Sequence, residues 1–303
     1  MTQERRFHTD GVMIKRRSGT GWALTSPAIL IVGAVMFFPL VYLLSMSFTE
    51  YAPMRSETAH FVGVENYLRI ASDDLVVKSL RVTLIFTFAS VALEMLIGLV
   101  CALGLAHIMM HAQGRFGVLI GKVLASSFIL PFAIPAVAGA FAWKMLLDAQ
   151  FGPVNALLGT HTPWLVEHPI VSIIIIDAWK MMPFVLFVLL AAILSIDQSQ
   201  FEAAELDGAG PWITLWSITM PSILPVFLVT AAFRAVDAFT KVFDTVFVTT
   251  GGGPGTDTQV IPLLIWKTAF TNLDYGRAAA LALVAMVVSF AFGSILLKRK
   301  TEQ

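Results

Sequence analysis

Long apolar stretches separated by short polar ones dominate this chain, and their length decides what they are. A helix needs about 20 predominantly apolar residues to cross the hydrocarbon core of a bilayer. Six segments meet that requirement: about Trp22 to Phe48, Leu80 to Ile108, Val123 to Leu147, Pro169 to Ile196, Pro221 to Phe239 and Ala278 to Leu297. The first carries Pro27 and Pro39, the second of these read as a kink; the third is broken by Pro131 and Pro135; the fourth carries Pro183. Lipid tolerates such prolines because neighbouring helices and side chains satisfy the backbone groups they free, whereas an open sheet edge has no such remedy. The pattern predicts an all-α integral membrane protein with six transmembrane helices. Its expected divisions are a tail over 1–21, a first helix and loop over 22–79, a main helical domain over 80–297 and a tail over 298–303.

Composition agrees with lipid as the solvent. Of 303 residues, 57% are hydrophobic and 13% charged, and a soluble domain carries about twice that charged fraction. The formal net charge of zero argues against a nucleic-acid partner. The single cysteine, Cys101, sits in an apolar run, which excludes an intrachain disulfide and makes the thiol a packing group. The first apolar run is too long for a signal-peptide core and has no small-residue cleavage site after it, so it is expected to remain as an anchor.

Lysine and arginine in the loops set the orientation. Arg5, Arg6, Lys15, Arg16 and Arg17 precede the first span, Arg115 and Lys122 follow the second, and Lys298, Arg299 and Lys300 follow the last. With six spans these segments share one side, so both termini are expected in the cytoplasm. Opposite them, the loop 148–169 has no basic residue. The segment 197–220 breaks the rule: it must be cytoplasmic, yet it has no lysine or arginine and carries Asp197, Glu202, Glu205 and Asp207. A loop that departs from the insertion rule answers to a second constraint.

That segment reads as two short helices about a glycine break. Ser199 with Glu202 three residues on has the spacing of a capping box, and Ala203 and Ala204 are strong helix formers. Gly208 suits a left-handed helix end, and Pro211 an early position in the next helix, whose apolar side carries Trp212, Leu215 and Trp216. A small alanine-rich helix with an acidic end fits a cleft in a partner. On these residues alone, an ordinary surface loop accounts for the segment equally well.

The pattern Glu202-Ala203-Ala204, Asp207-Gly208-Ala209, Ile218 and Pro221 resembles the EAA loop of permeases in binding-protein-dependent ABC importers. Trp179-Lys180 with Pro183-Phe184, Thr249 to Pro254 and Tyr275 to Ala280 are similar to the maltose and glycerol-3-phosphate branch of carbohydrate permeases. The resemblance covers about Asn66 to Leu297, with Met220 standing where leucine is usual. It implies a type I ABC importer transmembrane domain in a bacterial inner membrane, carrying a sugar-like solute by alternating access. It also implies that Glu202, Ala203, Ala204, Asp207 and Gly208 form a coupling helix docking on an ATPase subunit. The Gly-Gly-Gly-Pro feature implies the first of two unlike permeases in a heterodimer. Two ATPase subunits and an extracytoplasmic solute-binding protein complete the implied assembly.

Nothing in the chain itself supplies the energy. The nearest phosphate-loop candidate, Gly117 to Lys122, has the wrong spacing and is followed by Val123 where magnesium binding needs Ser or Thr. ATP and magnesium are therefore expected on a separate ATPase, with no cofactor here. His107 and His111 share a helix face without an intervening glutamate, which favours an interfacial pair over zinc. No nucleophile elbow or catalytic carboxylate dyad is visible, which disfavours an intramembrane enzyme. The absence of internal repeats disfavours an ion-coupled secondary transporter; a permease for a non-sugar solute is the nearer alternative.

Ionisable residues inside spans are costly and mark functional candidates. Glu94 lies midway along the second span, and Asp177 and Lys180 lie three apart in the fourth, a spacing that lets them pair. Arg234, Asp237, Lys241 and Asp244 recur as one helical stripe of alternating sign. Two readings stay open: the charges neutralise one another and hold helices together, or part of the stripe lines a polar cavity. In the second reading Trp179, Phe239 and Phe243 stack on a sugar ring. Gly98, Ala102 and Ala106 at four-residue spacing offer a close helix-packing face. Thr245 to Trp266 and the loop 148–169 are expected on the outward side, the former as a loop or re-entrant element at the pore mouth.

Overall fold

The computed structural model describes residues 18–54, 58–111 and 114–298. Arg5, Arg6, Lys15, Arg16, Arg17, Arg299 and Lys300 fall outside these residues, as do the side chains of His111 and Arg115. The chain divides after Ser45 into two units. The first is carried by helix α1 (Ser18–Ser47), which runs unbroken through Pro27 and Pro39, so the kink expected at Pro39 does not interrupt it.

The second unit is helical except for a two-residue antiparallel pairing of β1 (Thr49–Glu50) with β2 (His60–Phe61). Its framework is three long helices: α3 (Asp74–His111), α8 (Pro169–Leu194) and α11 (Met220–Lys241). Helix α2 (Glu65–Ala71) precedes them, and α14 (Tyr275–Lys298) closes the unit against α11. The α3–α8 crossing is the tightest contact. A Cβ at Gly98 would stand 2.7 Å from Val185 Cγ1 and 3.2 Å from the Leu186 amide nitrogen, so only glycine lets the two backbones approach this closely. One and two turns on, Ala102 and Ala106 are fully buried in the same seam, as their spacing predicted. Phe86, Ile173, Val185, Leu186, Leu189 and Val246 fill the core around it.

Among the described residues four helices are long and apolar enough to cross a bilayer alone: Leu24–Ser47, Asp74–Met110, Pro169–Leu194 and Pro211–Lys241. A fifth crossing is split into α4 (Gly114–Ala133) and α5 (Ala136–Leu146), which meet at 98°. The break falls at Ile134 and Pro135, while Pro131 remains inside α4. A proline lacks the amide hydrogen that would continue the ladder, and here only the second of the pair ends the helix. Helix α14 occupies the predicted sixth span.

The fifth predicted span begins nearly three turns earlier than Pro221, at Pro211. Helix α10 (Pro211–Thr214) passes through a π-helical turn, Leu215–Thr219, directly into α11. The wider turn sits just before Pro221 and Pro225, whose missing donors would otherwise leave gaps in the ladder. Short elements complete the unit: α6 (Pro153–Leu158), α7 (Trp164–Glu167), α9 (Gln198–Leu206), α12 (Phe243–Val248), α13 (Ile261–Trp266) and a second π turn, Lys267–Thr271.

The loop between α5 and α8 is organised by one buried side chain. Asn155 Nδ2 donates to the carbonyls of Asp148 and Thr162, both at 2.9 Å. Its Oδ1 accepts from Thr160 Oγ1 at 2.8 Å, from Trp164 Nε1 at 3.0 Å and from the Thr162 amide at 3.2 Å. Every polar atom of Asn155 is therefore satisfied, and the loop closes around it.

Candidate functional site

Two regions answer to the candidate residues. The first is inside the helical framework. Arg234 of α11 exposes 1% of its side chain and Glu94 of α3 none. Their contact is a two-pronged fork, with Nε 2.7 Å from Oε2 and Nη2 2.9 Å from Oε1. Planar guanidinium and carboxylate match in this geometry, which makes it the strong form of the pair. Nη1 of the same arginine bonds Asp237 one turn on, and Nη2 reaches Asp177 Oδ2 of α8 at 3.4 Å. Ser90, one turn before Glu94, sets its hydroxyl 3.0 Å from Glu94 Oε1 and 2.6 Å from Asp177 Oδ2. One guanidinium thus ties three helices together. Lys241 adds a second positive charge at the edge, 2.6 Å from Asp237 Oδ1, with most of its side chain exposed.

The Asp177–Lys180 pair that this spacing allows does not form. Asp177 turns to Ser90 and Arg234, while Lys180 Nζ donates to the main-chain carbonyl of Ile134 at 2.5 Å. Spacing along one helix places two residues on one face but says nothing about what crosses from the neighbouring helix. The stripe through Asp244 is also divided, because α11 ends at Lys241 and Asp244 lies in the first turn of α12. Among the described residues Asp244 makes no hydrogen bond or ion pair.

The aromatic candidates part company. Trp179 packs edge-on to Trp143 with ring centroids 5.7 Å apart, a partner that the sequence pattern did not single out. The Trp143 indole nitrogen is buried without an acceptor. Phe243 stacks on Phe247 at 5.2 Å and joins Trp266 and Phe270 in one aromatic cluster. Phe239 is buried in packing and, in this conformation, offers no face to a solute. Lys144 and Lys267 also belong to this neighbourhood and were not among the candidates. Lys267 Nζ holds the glycine turn 251–255 from the far side, donating to Gly251 O and Gln259 Oε1 at 2.9 Å each.

The second region is the acidic loop. Helix α9 is capped at its N-terminus by Asp197, whose carboxylate accepts from the Ser199 amide at 2.9 Å and the Ser199 hydroxyl at 2.8 Å. Those bonds, the amide first, hold the Asp197 carboxyl below the usual carboxylate range. The cap is therefore Asp197 and not Ser199; both are good capping types, and the chain uses the one two residues earlier. At the other end Gly208 takes φ +73°. The Gly208 amide bonds Glu205 O at 3.0 Å and the Ala209 amide bonds Ala204 O at 2.9 Å. These are the two closing bonds of a Schellman turn, which a left-handed residue permits.

Between these caps α9 presents Glu202, Ala203, Glu205 and Leu206 to the outside, while Phe201 and Ala204 turn inward. Leu206 is 89% exposed. Asp207 follows as the exposed C-cap residue. Neither Glu202 nor Glu205 has an ion-pair partner among the described residues. Behind the helix lies a cavity of about 750 Å³, walled by Leu103 and His107 of α3, Ile193 of α8, and Glu202, Glu205 and Trp212. Trp212 and Trp216 meet edge-on at 6.0 Å on the exposed side of the next helix. No group of three or more His, Cys, Asp or Glu side chains among the described residues is placed to hold a metal ion.

The described residues thus form a helical bundle braced by buried charge, with one capped helix displayed on an inter-span loop. Residues 95–300 match the family model described as "Binding-protein-dependent transport system inner membrane component". The chain belongs to that family, and is a multi-pass protein of the inner membrane. It is 34% identical over 290 residues to the trehalose/maltose transport system permease protein MalF of Thermococcus litoralis, covering 93% of this chain and 94% of that one. It is 30% identical to the trehalose transport system permease protein SugA of Mycobacterium tuberculosis, covering 94% and 90%. In fold it is similar to a chain of a bacterial ABC transporter that imports the acidic polysaccharide alginate. That likeness has a TM-score of 0.78 at 21% identity and covers 94% of this chain and 96% of the other.

Proposed function

We propose that this chain is the permease subunit of an ATP-driven ABC importer for a sugar or sugar-like solute, with α9 as the coupling helix to the ATPase. The observation that carries the reading is the displayed face of α9. A short helix fixed at both ends, bearing two unpaired carboxylates and a bare leucine, is a surface built for a cleft in another protein. The relatives from Thermococcus litoralis and Mycobacterium tuberculosis are named for trehalose/maltose and trehalose transport, which supports a sugar-like cargo.

In this reading a soluble binding protein delivers solute to the outward side, two permeases enclose the path, and two ATPase subunits bind ATP and magnesium. The second permease is a different chain, and both termini of this one face the cytoplasm. Closure of the ATPases moves α9, and with it the joined α8 and α10–α11 segments on either side. Glu202 and Glu205 meet basic groups of the ATPase, Ala203 and Ala204 keep the helix slim, and Asp207 with Gly208 ends it. The solute path runs beside Trp179, Lys241, Phe243 and Asp244, with Glu94, Asp177, Arg234 and Asp237 bracing its wall.

The test is recovery of the detergent-solubilised chain from its native membrane with whatever accompanies it. The expected companions are an ATPase with a phosphate-binding loop, a second six-span permease and a binding protein. Glu202→Lys is expected to insert normally and to abolish stimulated ATP hydrolysis by that complex. Full stimulation in the variant overturns the docking role; recovery of this chain without an ATPase turns the reading towards an ion-coupled transporter.

A further inference from the structure

The bend between α4 and α5 creates a backbone problem, and a lysine from another helix answers it. Pro135 has no amide hydrogen with which to carry the ladder on. The Ile134 amide still bonds Leu130 O at 3.3 Å, but past the 98° turn the ladder resumes with the Gly139 amide on Pro135 O and passes over the Ile134 carbonyl. A carbonyl freed inside a membrane segment must find its donor within the protein. Lys180 Nζ, from α8, lies 2.5 Å from Ile134 O. The carbonyl end of a helix is also the negative end of its dipole, so an ammonium placed there gains from both.

The same device recurs at the other end of α5. Lys144 Nζ lies 3.4 Å from the carbonyl of Val248, the last residue of α12. Trp143 and Trp179, each preceding one of these lysines, meet edge-on between them. Neither Lys144 nor Lys180 has a carboxylate within salt-bridge distance among the described residues. An intramembrane ammonium with no carboxylate partner is costly, and a freed helix-end carbonyl is what each has instead.

We infer that Lys180 is a positioning residue that fixes the α4–α5 bend and, with Lys144, seats α5 between α8 and α12. It acts on the wall of the solute path rather than on the solute. The inference rests on the reading of these helices as that wall, but the bend itself is measured within this one chain, so the two fail separately.

The test uses the full-length chain with Cys101→Ala and spin labels at Leu119→Cys in α4 and Met145→Cys in α5, in lipid nanodiscs. Lys180→Met is expected to broaden the distance distribution across the bend at least twofold, and Lys180→Arg, which keeps a donor, to restore most of the parent width. Lys144→Met is expected to broaden it less, in line with its longer contact. An unchanged width in Lys180→Met overturns the inference, and so does equal broadening in the methionine and arginine variants, which would assign the loss to packing. Should Lys180→Met fail to accumulate, Lys144→Met decides: no broadening there overturns the paired role.

Discussion

Arg234 and Lys241 sit two turns apart on one helix face, share Asp237, and are worth very different amounts. Removing one partner of a buried, hydrogen-bonded charge cluster leaves uncompensated charge and costs about 3–5 kcal/mol. Arg234→Met strips from Glu94, Asp177 and Asp237 the buried cation that they share, so a loss of that size is expected in thermal unfolding of the detergent-solubilised protein. Lys241 is 75% exposed, and an exposed pair is worth about 0–1 kcal/mol. Lys241→Ala is therefore expected to unfold at nearly the parent temperature. Equal losses in the two variants would show that the fork to Glu94 adds nothing. At this scale the sequence revealed which residues are unusual but not whom they meet. Glu94, Asp177 and Arg234 announce themselves as charges in apolar runs, yet their pairing spans 57 and 140 positions of chain. Local spacing suggested Lys180 for Asp177, and a guanidinium from another helix took its place.

Among the elements, periodicity and small residues were enough to place the main crossing. Gly98, Ala102 and Ala106 mark one face of α3, and α8 packs there. The crossing distance follows from the glycine: a larger side chain meets Val185 and the backbone at Leu186 and has nowhere to go. Overpacking of this kind costs about 1–3 kcal/mol, so Gly98→Leu is expected to lower the unfolding midpoint and widen the α3–α8 separation measured by paired spin labels. Retention of the parent separation would mean the seam can yield. The breaks were harder to read. Pro131, Pro183 and Pro225 lie inside helices while Pro135 ends one. Proline type alone does not separate these cases; the outcome depends on whether a neighbour, such as Lys180, can satisfy what the break exposes. The acidic loop was the most legible element, because turn chemistry at Gly208 and Pro211 is local and left little to tertiary context.

For the molecule as a whole, hydropathy placed a helix at each predicted span, but α3 and α4 begin six and nine residues before the predicted starts at Leu80 and Val123, and α10 runs on into α11. The side each loop occupies is a separate matter, resting on a count of basic residues that the acidic loop itself disobeys. Two fully exposed leucines allow a direct check: Leu157 in α6, 88% exposed, and Leu206 in α9, 89% exposed. In a Cys101→Ala background, Leu157→Cys is expected to react with a membrane-impermeant maleimide added to the outer face of spheroplasts. Leu206→Cys is expected to react only after the membrane is opened. Labelling of both from the same face would refute the orientation, and labelling of Leu206→Cys from outside would refute any contact between α9 and a cytoplasmic ATPase.

The Arg234–Glu94 fork also bears on how the protein is made. Its two halves lie 140 residues apart, and α3 leaves the ribosome long before α11. During that interval Glu94, and then Asp177, must wait in or beside the insertion machinery without their cation. A nascent chain halted after α8 would hold two acidic groups in lipid without their cation, and they would have to stay protonated there. Arrival of α11 supplies the guanidinium, so the three helices can be locked to one another only once most of the chain has been made.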